Sequence, residues 1–98
     1  MHLGELQVSV DAACGGSYWP PLANLARLTE EVGELARALN VHCGPKVLKP
    51  GEPTPDTVAE MGDVLFTLAA LANTLGVDLG EAAVGAVARA QGRRTSDS

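Results

Sequence analysis

Apolar residues recur at alternating steps of three and four through Leu25, Leu28, Val32, Leu35 and Leu39. Only an α-helix brings positions so spaced onto one face, and a seam of this kind needs other helices to pack against. The spacing predicts a helix from about Pro21 to Val41. A second long apolar-periodic stretch follows at Met61, Leu65, Leu68, Ala72 and Leu75 and stops at Gly76. Between the two, Asn40 to Pro53 carries Gly44, Pro45, Pro50, Gly51 and Pro53, which forbids regular structure there. Ala and Leu dominate the apolar content while aromatic residues are only 3% of the chain, a balance that favours helices over strands.

Two shorter helices complete the reading. Leu3, Leu6, Val10 and Ala13 have helical spacing, and Gly15-Gly16 ends that segment before a turn stiffened by Pro20 and Pro21. The third helix is expected to open with Thr54 as N-cap, Pro55 in the first helical position and Asp56 at the positive helix end. The fourth opens at Asp78-Leu-Gly-Glu81, a capping-box pattern with Asp in the capping position, and runs through Ala82 to Ala90. Fraying or disorder is expected from about Gly92 onward. The 98 residues thus read as a single all-α domain of four helices. The third helix is apolar around much of its circumference, as at an oligomer interface.

The formal net charge of −5 argues against a nucleic-acid surface. Cys14 and Cys43 have no zinc-type spacing and read as reduced thiols. No uninterrupted apolar run approaches a membrane span, and no signal-like N-terminus is evident. The expectation is a soluble, cytoplasmic protein with no membrane partner.

Acidic residues sit beside these apolar stripes rather than opposite them. Glu31 and Glu34 share one face of the second helix, with Glu30 one turn before Glu34 on its edge, and Glu60 and Asp63 share one face of the third. Glu31 and Glu34 are expected on the flank of the leucine seam. Isolated pairs of this kind are usually a solvated face. Two of them flanking apolar seams point to carboxylates gathered between packed helices, where mutual repulsion calls for a cation. Oxygen ligands suit Mg2+, with Mn2+ an alternative, and hence phosphate chemistry. A di-iron site would require Glu-x-x-His, which is absent, and no phosphate-binding glycine loop or dinucleotide motif occurs. Trp19, the single tryptophan, reads either as a core anchor or as a wall for a planar base. Lys46 and Lys49, the only lysines, read as solvated cations or as phosphate contacts.

Tyr18-Trp-Pro-Pro-Leu-Ala-Asn-Leu-Ala-Arg-Leu-Thr-Glu-Glu-Val-Gly-Glu-Leu35, His42-Cys-Gly-Pro-Lys46 and Glu60-Met-Gly-Asp63 through Asp78 resemble the MazG-like nucleoside triphosphate pyrophosphohydrolases. The resemblance spans residues of about 3 to 90 and rests on EExxE followed by ExxD. It implies an all-α unit assembling as a dimer or tetramer, with helices of two subunits forming the active bundle. It implies hydrolysis of nucleoside triphosphates to monophosphate and pyrophosphate with Mg2+, in clearing unwanted or damaged nucleotides. Carried over, Glu31, Glu34, Glu60 and Asp63 are metal ligands, and Glu30 is a further ligand or orients the attacking water. Asn73 and Lys46 match residues near the nucleotide and its phosphates. Arg93 or Arg94 stands where many relatives carry a Lys, an aromatic and an Arg, and is the candidate to replace them in binding phosphate. Trp19 is the best candidate for base recognition. Two competing expectations are phosphoribosyl-ATP pyrophosphatase, from the same superfamily, and a non-catalytic helical oligomerisation module.

Overall fold

The computed structural model describes residues 1–97, with side chains through Arg94. Four helices follow in order: α1 (Leu3–Ala13), α2 (Pro21–His42), α3 (Thr57–Leu75) and α4 (Leu79–Asp97). No strand occurs among the described residues. The architecture is the all-α one that the periodicity implies.

The helix ends show local chemistry at work. Asp56, not Thr54, caps α3, its carboxylate accepting from the Ala59 N–H at 3.1 Å, and Pro55 stays outside the helix. A carboxylate at this position satisfies a free N–H and meets the positive end of the helix dipole. Gly76 ends α3 in the left-handed region at φ 68°, a conformation that disfavours a side chain. Asp78 accepts from the Glu81 N–H at 3.1 Å at the start of α4. That helix continues through Asp97, beyond the expected break at Gly92. A single helical glycine costs about 1 kcal/mol, and Arg94 in the last turn complements the negative helix end.

Val10, Ala69 and Ala70 form the buried core, with Leu6, Cys14, Tyr18 and Leu79 packed around it. Its small side chains let α1 approach α3 closely. The α2–α3 contact is the most extensive in the chain, and it is set in an unexpected register. The buried residues of α2 are Asn24, Glu31 and Ala38, spaced by seven. The leucine seam lies beside that stripe, with Leu28 and Leu35 half-buried and Leu25, Val32 and Leu39 exposed. Glu31 therefore lies on the packed face and not on its flank. A side chain at Gly33, between Glu31 and Glu34 on α2, would meet only open space within the chain.

By length and composition α3 is apolar enough to cross a membrane. Counting uninterrupted apolar runs misses this, because Glu60 and Asp63 break the run without lowering the average far. The same helix places Ala69, Ala70 and Ala72 in the packed interior.

Candidate active site

Two helices and one turn build the site. α2 and α3 lie side by side, so acids on their facing stripes meet. Glu31, Glu60 and Asp63 each offer a carboxylate oxygen, and these oxygens all lie within 4.8 Å of one another. Glu31 is only 8% exposed, Glu60 is half-buried and Asp63 is exposed, so the cluster opens from the helix interface toward solvent. Partial burial raises the Glu60 pKa above its ordinary 4.5, and the negative charges of Asp63, Glu34, Glu31 and Asp56 add to the rise. Glu34 is thus close enough to be felt, although it is exposed and outside the closely spaced trio.

A cleft of about 350 Å³ adjoins the acids, and Glu31 and Asp63 line both. Trp19, Tyr18 and Phe66 supply its aromatic surface, with Asn24, Arg27 and Thr67 as polar lining. Its volume lies within the range of small-ligand pockets, about 300–1,000 Å³. Trp19 is 58% exposed, so it is not a core anchor within one chain, and it lines the cleft. Buried Asn24 holds the turn that carries it, donating to the Trp19 carbonyl at 3.2 Å and to Thr74 Oγ1 at 3.3 Å.

The remaining expected site residues lie elsewhere. Glu30 is exposed, with Arg27 Nη1 3.8 Å from its carboxylate. Lys46 is exposed in the α2–α3 loop and Arg93 is exposed on α4, and neither lines the cleft. Asn73 lies on α3 with its side chain turned to α1, where both ends of its amide are engaged. Its Nδ2 donates to the Gln7 carbonyl at 2.9 Å and to the Tyr18 hydroxyl at 3.1 Å, and its Oδ1 accepts from Gln7 Nε2 at 2.9 Å. The Tyr18 hydroxyl donates in turn to Asp11, a bond that the ionised phenol would lose and that raises the Tyr18 pKa.

Sequence reasoning missed Arg27, whose Nε donates to Glu31 Oε1 at 2.9 Å. The i,i+4 spacing to Glu31 was the available signal. Asn24 and Thr67 were missed because nothing in an apolar periodicity marks a polar residue as buried.

The fold and the site define an all-helical protein, over the described residues, with acids converging beside an aromatic-walled cleft. The chain belongs to the MazG nucleotide pyrophosphohydrolase family, whose domain matches residues 20–96. A curated relative, the uncharacterized protein YpjD of Bacillus subtilis (strain 168), is 47% identical over 81 residues, 80% of this chain and 73% of the relative. The crystal structure of YpjD from Bacillus subtilis, described as a candidate pyrophosphatase, superposes with a TM-score of 0.80 at 41% identity. That match covers 91% of this chain and 94% of the other. A Bacillus-conserved MazG protein, a nucleotide pyrophosphohydrolase, superposes with a TM-score of 0.77 at 37% identity, covering 91% and 88%.

Proposed function

We propose that the chain hydrolyses nucleoside triphosphates, ribo or deoxy, to the monophosphate and pyrophosphate in the cytoplasm, as a Mg2+-dependent homodimer or homotetramer that clears unwanted nucleotides. The observation that carries this reading is the convergence of Glu31, Glu60 and Asp63 from two helices onto one point beside the cleft. The donor set fits a hard divalent cation: it is all oxygen, closely spaced and partly open to water. Burial first, and then the negative charges of Asp63, Glu34, Glu31 and Asp56, raise the Glu60 pKa, and the second of these is a repulsion that a divalent cation would relieve. When bound, Mg2+ supplies charge neutralisation on the phosphates and a more acidic water.

The protein's own groups then take separate tasks. Glu31, Glu60 and Asp63, with Glu34 completing the set, would hold the ion. Glu30, exposed on the same helix as Glu31 and Glu34 and outside the closely spaced trio, is assigned either as a further ligand or to orienting the attacking water. Trp19 stacks against the base, and Asn24 holds the backbone that positions that ring. Lys46 and Arg93 are assigned to the outer phosphates. Both lie away from the cleft within one chain, so their contribution depends on assembly.

The test is a panel of nucleoside triphosphates, with phosphoribosyl-ATP included, followed by product analysis. Monophosphate and pyrophosphate in equal amounts are expected with Mg2+. Orthophosphate as the main product, or no turnover of any nucleotide, would remove the proposal. Asp63→Ala and Glu34→Ala should each lower turnover by at least about 10²-fold while circular dichroism stays unchanged. Normal turnover in both would dissociate these acids from the chemistry.

A further inference from the structure

We infer that Arg27 is the phosphate-binding cation of the cleft, and that Glu31 holds it in reserve until a divalent ion occupies the acidic cluster. The inference rests on the reading of Glu31, Glu60 and Asp63 as a metal site.

Three observations lead to it. Arg27 is the only cationic side chain lining the cleft among the described residues. Arg37 is paired with Glu52 at 3.2 Å, and the lysines and the arginines of α4 lie away from the lining. A polyanion entering the cleft therefore meets two carboxylates and one guanidinium. Second, that guanidinium is engaged, its Nε donating to Glu31 Oε1 at 2.9 Å, and Glu31 is one of the three clustered acids. One carboxylate thus serves a guanidinium on one side and a prospective metal site on the other. Third, Arg placed before Glu at i,i+4 is the less favourable order on a helix, so helix stability gives little reason for the pair.

The coupling follows from electrostatics. A divalent ion at the cluster draws electron density from Glu31 and repels the guanidinium. The pair weakens just as the cleft is ready for phosphate. The Arg27 side chain is 50% exposed, and its second carboxylate contact, to Glu30, is long at 3.8 Å. It has room to turn, and its five N–H donors suit phosphate oxygens. In the nucleotide-free protein the same cation competes with the metal for Glu31. Its removal should then strengthen metal binding while weakening substrate binding. A merely structural role moves both the same way.

The experiment measures Mn2+ affinity by calorimetry on the nucleotide-free protein, and KM and kcat with a nucleoside triphosphate substrate. Arg27→Gln should bind Mn2+ about three- to ten-fold more tightly than wild type, because a nearby positive charge is gone. Its KM should rise roughly ten-fold, the loss expected for a charge-assisted contact. Arg27→Lys should return Mn2+ affinity to near the wild-type value and recover part of the KM. Unchanged or weakened Mn2+ binding in Arg27→Gln, or an unchanged KM, overturns the inference. A wild-type protein that binds no Mn2+, or binds it equally well as Glu60→Gln, overturns the metal-site reading itself and this inference with it. Because Arg27 is half exposed, both variants should fold, which circular dichroism checks.

Discussion

Glu60 concentrates the conflict between stability and chemistry. Its carboxyl titrates above the ordinary value of 4.5, first because of partial burial and then because of four neighbouring acids. A folded-state pKa raised above the unfolded one means that the folded chain binds the proton more tightly. The corresponding stability is fully present below about pH 4.5 and is lost as pH rises through the folded pKa. At neutral pH the charge on Glu60 works against the fold. Glu60→Gln should therefore raise the melting temperature of the metal-free protein at pH 7, with the gap closing at pH 4, while its turnover is lost. Thermal melts of both proteins at the two pH values check this. A lower melting temperature for the variant at pH 7 would mean that the carboxylate is stabilised by its surroundings. Sites that trade stability for function behave in this way.

At the scale of elements, the junction of α1, α3 and the start of α4 depends on one side chain that no pattern advertises. Gln7 donates from Nε2 to Asn73 Oδ1 at 2.9 Å and to the Val77 carbonyl at 2.8 Å, and its Oε1 accepts from the Leu79 N–H at 2.9 Å. It thereby ties α1 to the end of α3 and to the first residue of α4. Asn73 extends the tie to Tyr18, the neighbour of Trp19. Truncation to Gln7→Ala leaves part-buried partners unsatisfied and should cost about 2 kcal/mol. For a domain of this size that corresponds to a fall of roughly 8–16 °C in melting temperature. Differential scanning calorimetry gives the value directly. A shift of a degree or less would show that water replaces these bonds without loss.

The whole molecule is open for its size. Its radius of gyration is 16.5 Å, against about 13 Å for a compact domain of 100 residues. α4 packs chiefly on α1 and contributes no fully buried residue among those described. Both α2 and α3 leave apolar stripes uncovered: Leu25, Val32 and Leu39 on the first, Val58, Met61 and Leu65 on the second. Exposed apolar surface on this scale marks an interaction face, and the proposed homo-oligomer would cover it. Leu65→Glu should shift the protein toward monomer in light scattering and reduce turnover with it. A wild-type protein that is monomeric at micromolar concentration would contradict the assembly, and the exposed stripes would need another partner.

Much of this was legible in the chain itself. Helix α1 falls where its periodicity put it, at Leu3–Ala13, because alternating apolar steps and a Gly-Gly stop act locally. The Glu31–Glu34 and Glu60–Asp63 pairs follow from the helical repeat alone. The rotation of α2 about its own axis was not legible. A leucine seam says which face is apolar, but not whether the covering helix comes from the same chain or another copy. Packing placed Asn24, Glu31 and Ala38 inside and left Leu25, Val32 and Leu39 outside. The Gln7–Asn73 bond joins residues 66 apart in sequence, and the Arg27–Glu31 pair acquires its meaning only from the cleft beside it. The repeat along the chain is enough to give four helices and to say which acids share a face of each. Which of those acids meet follows from how α2 packs on α3, because convergence depends on the register between helices and no local repeat encodes it.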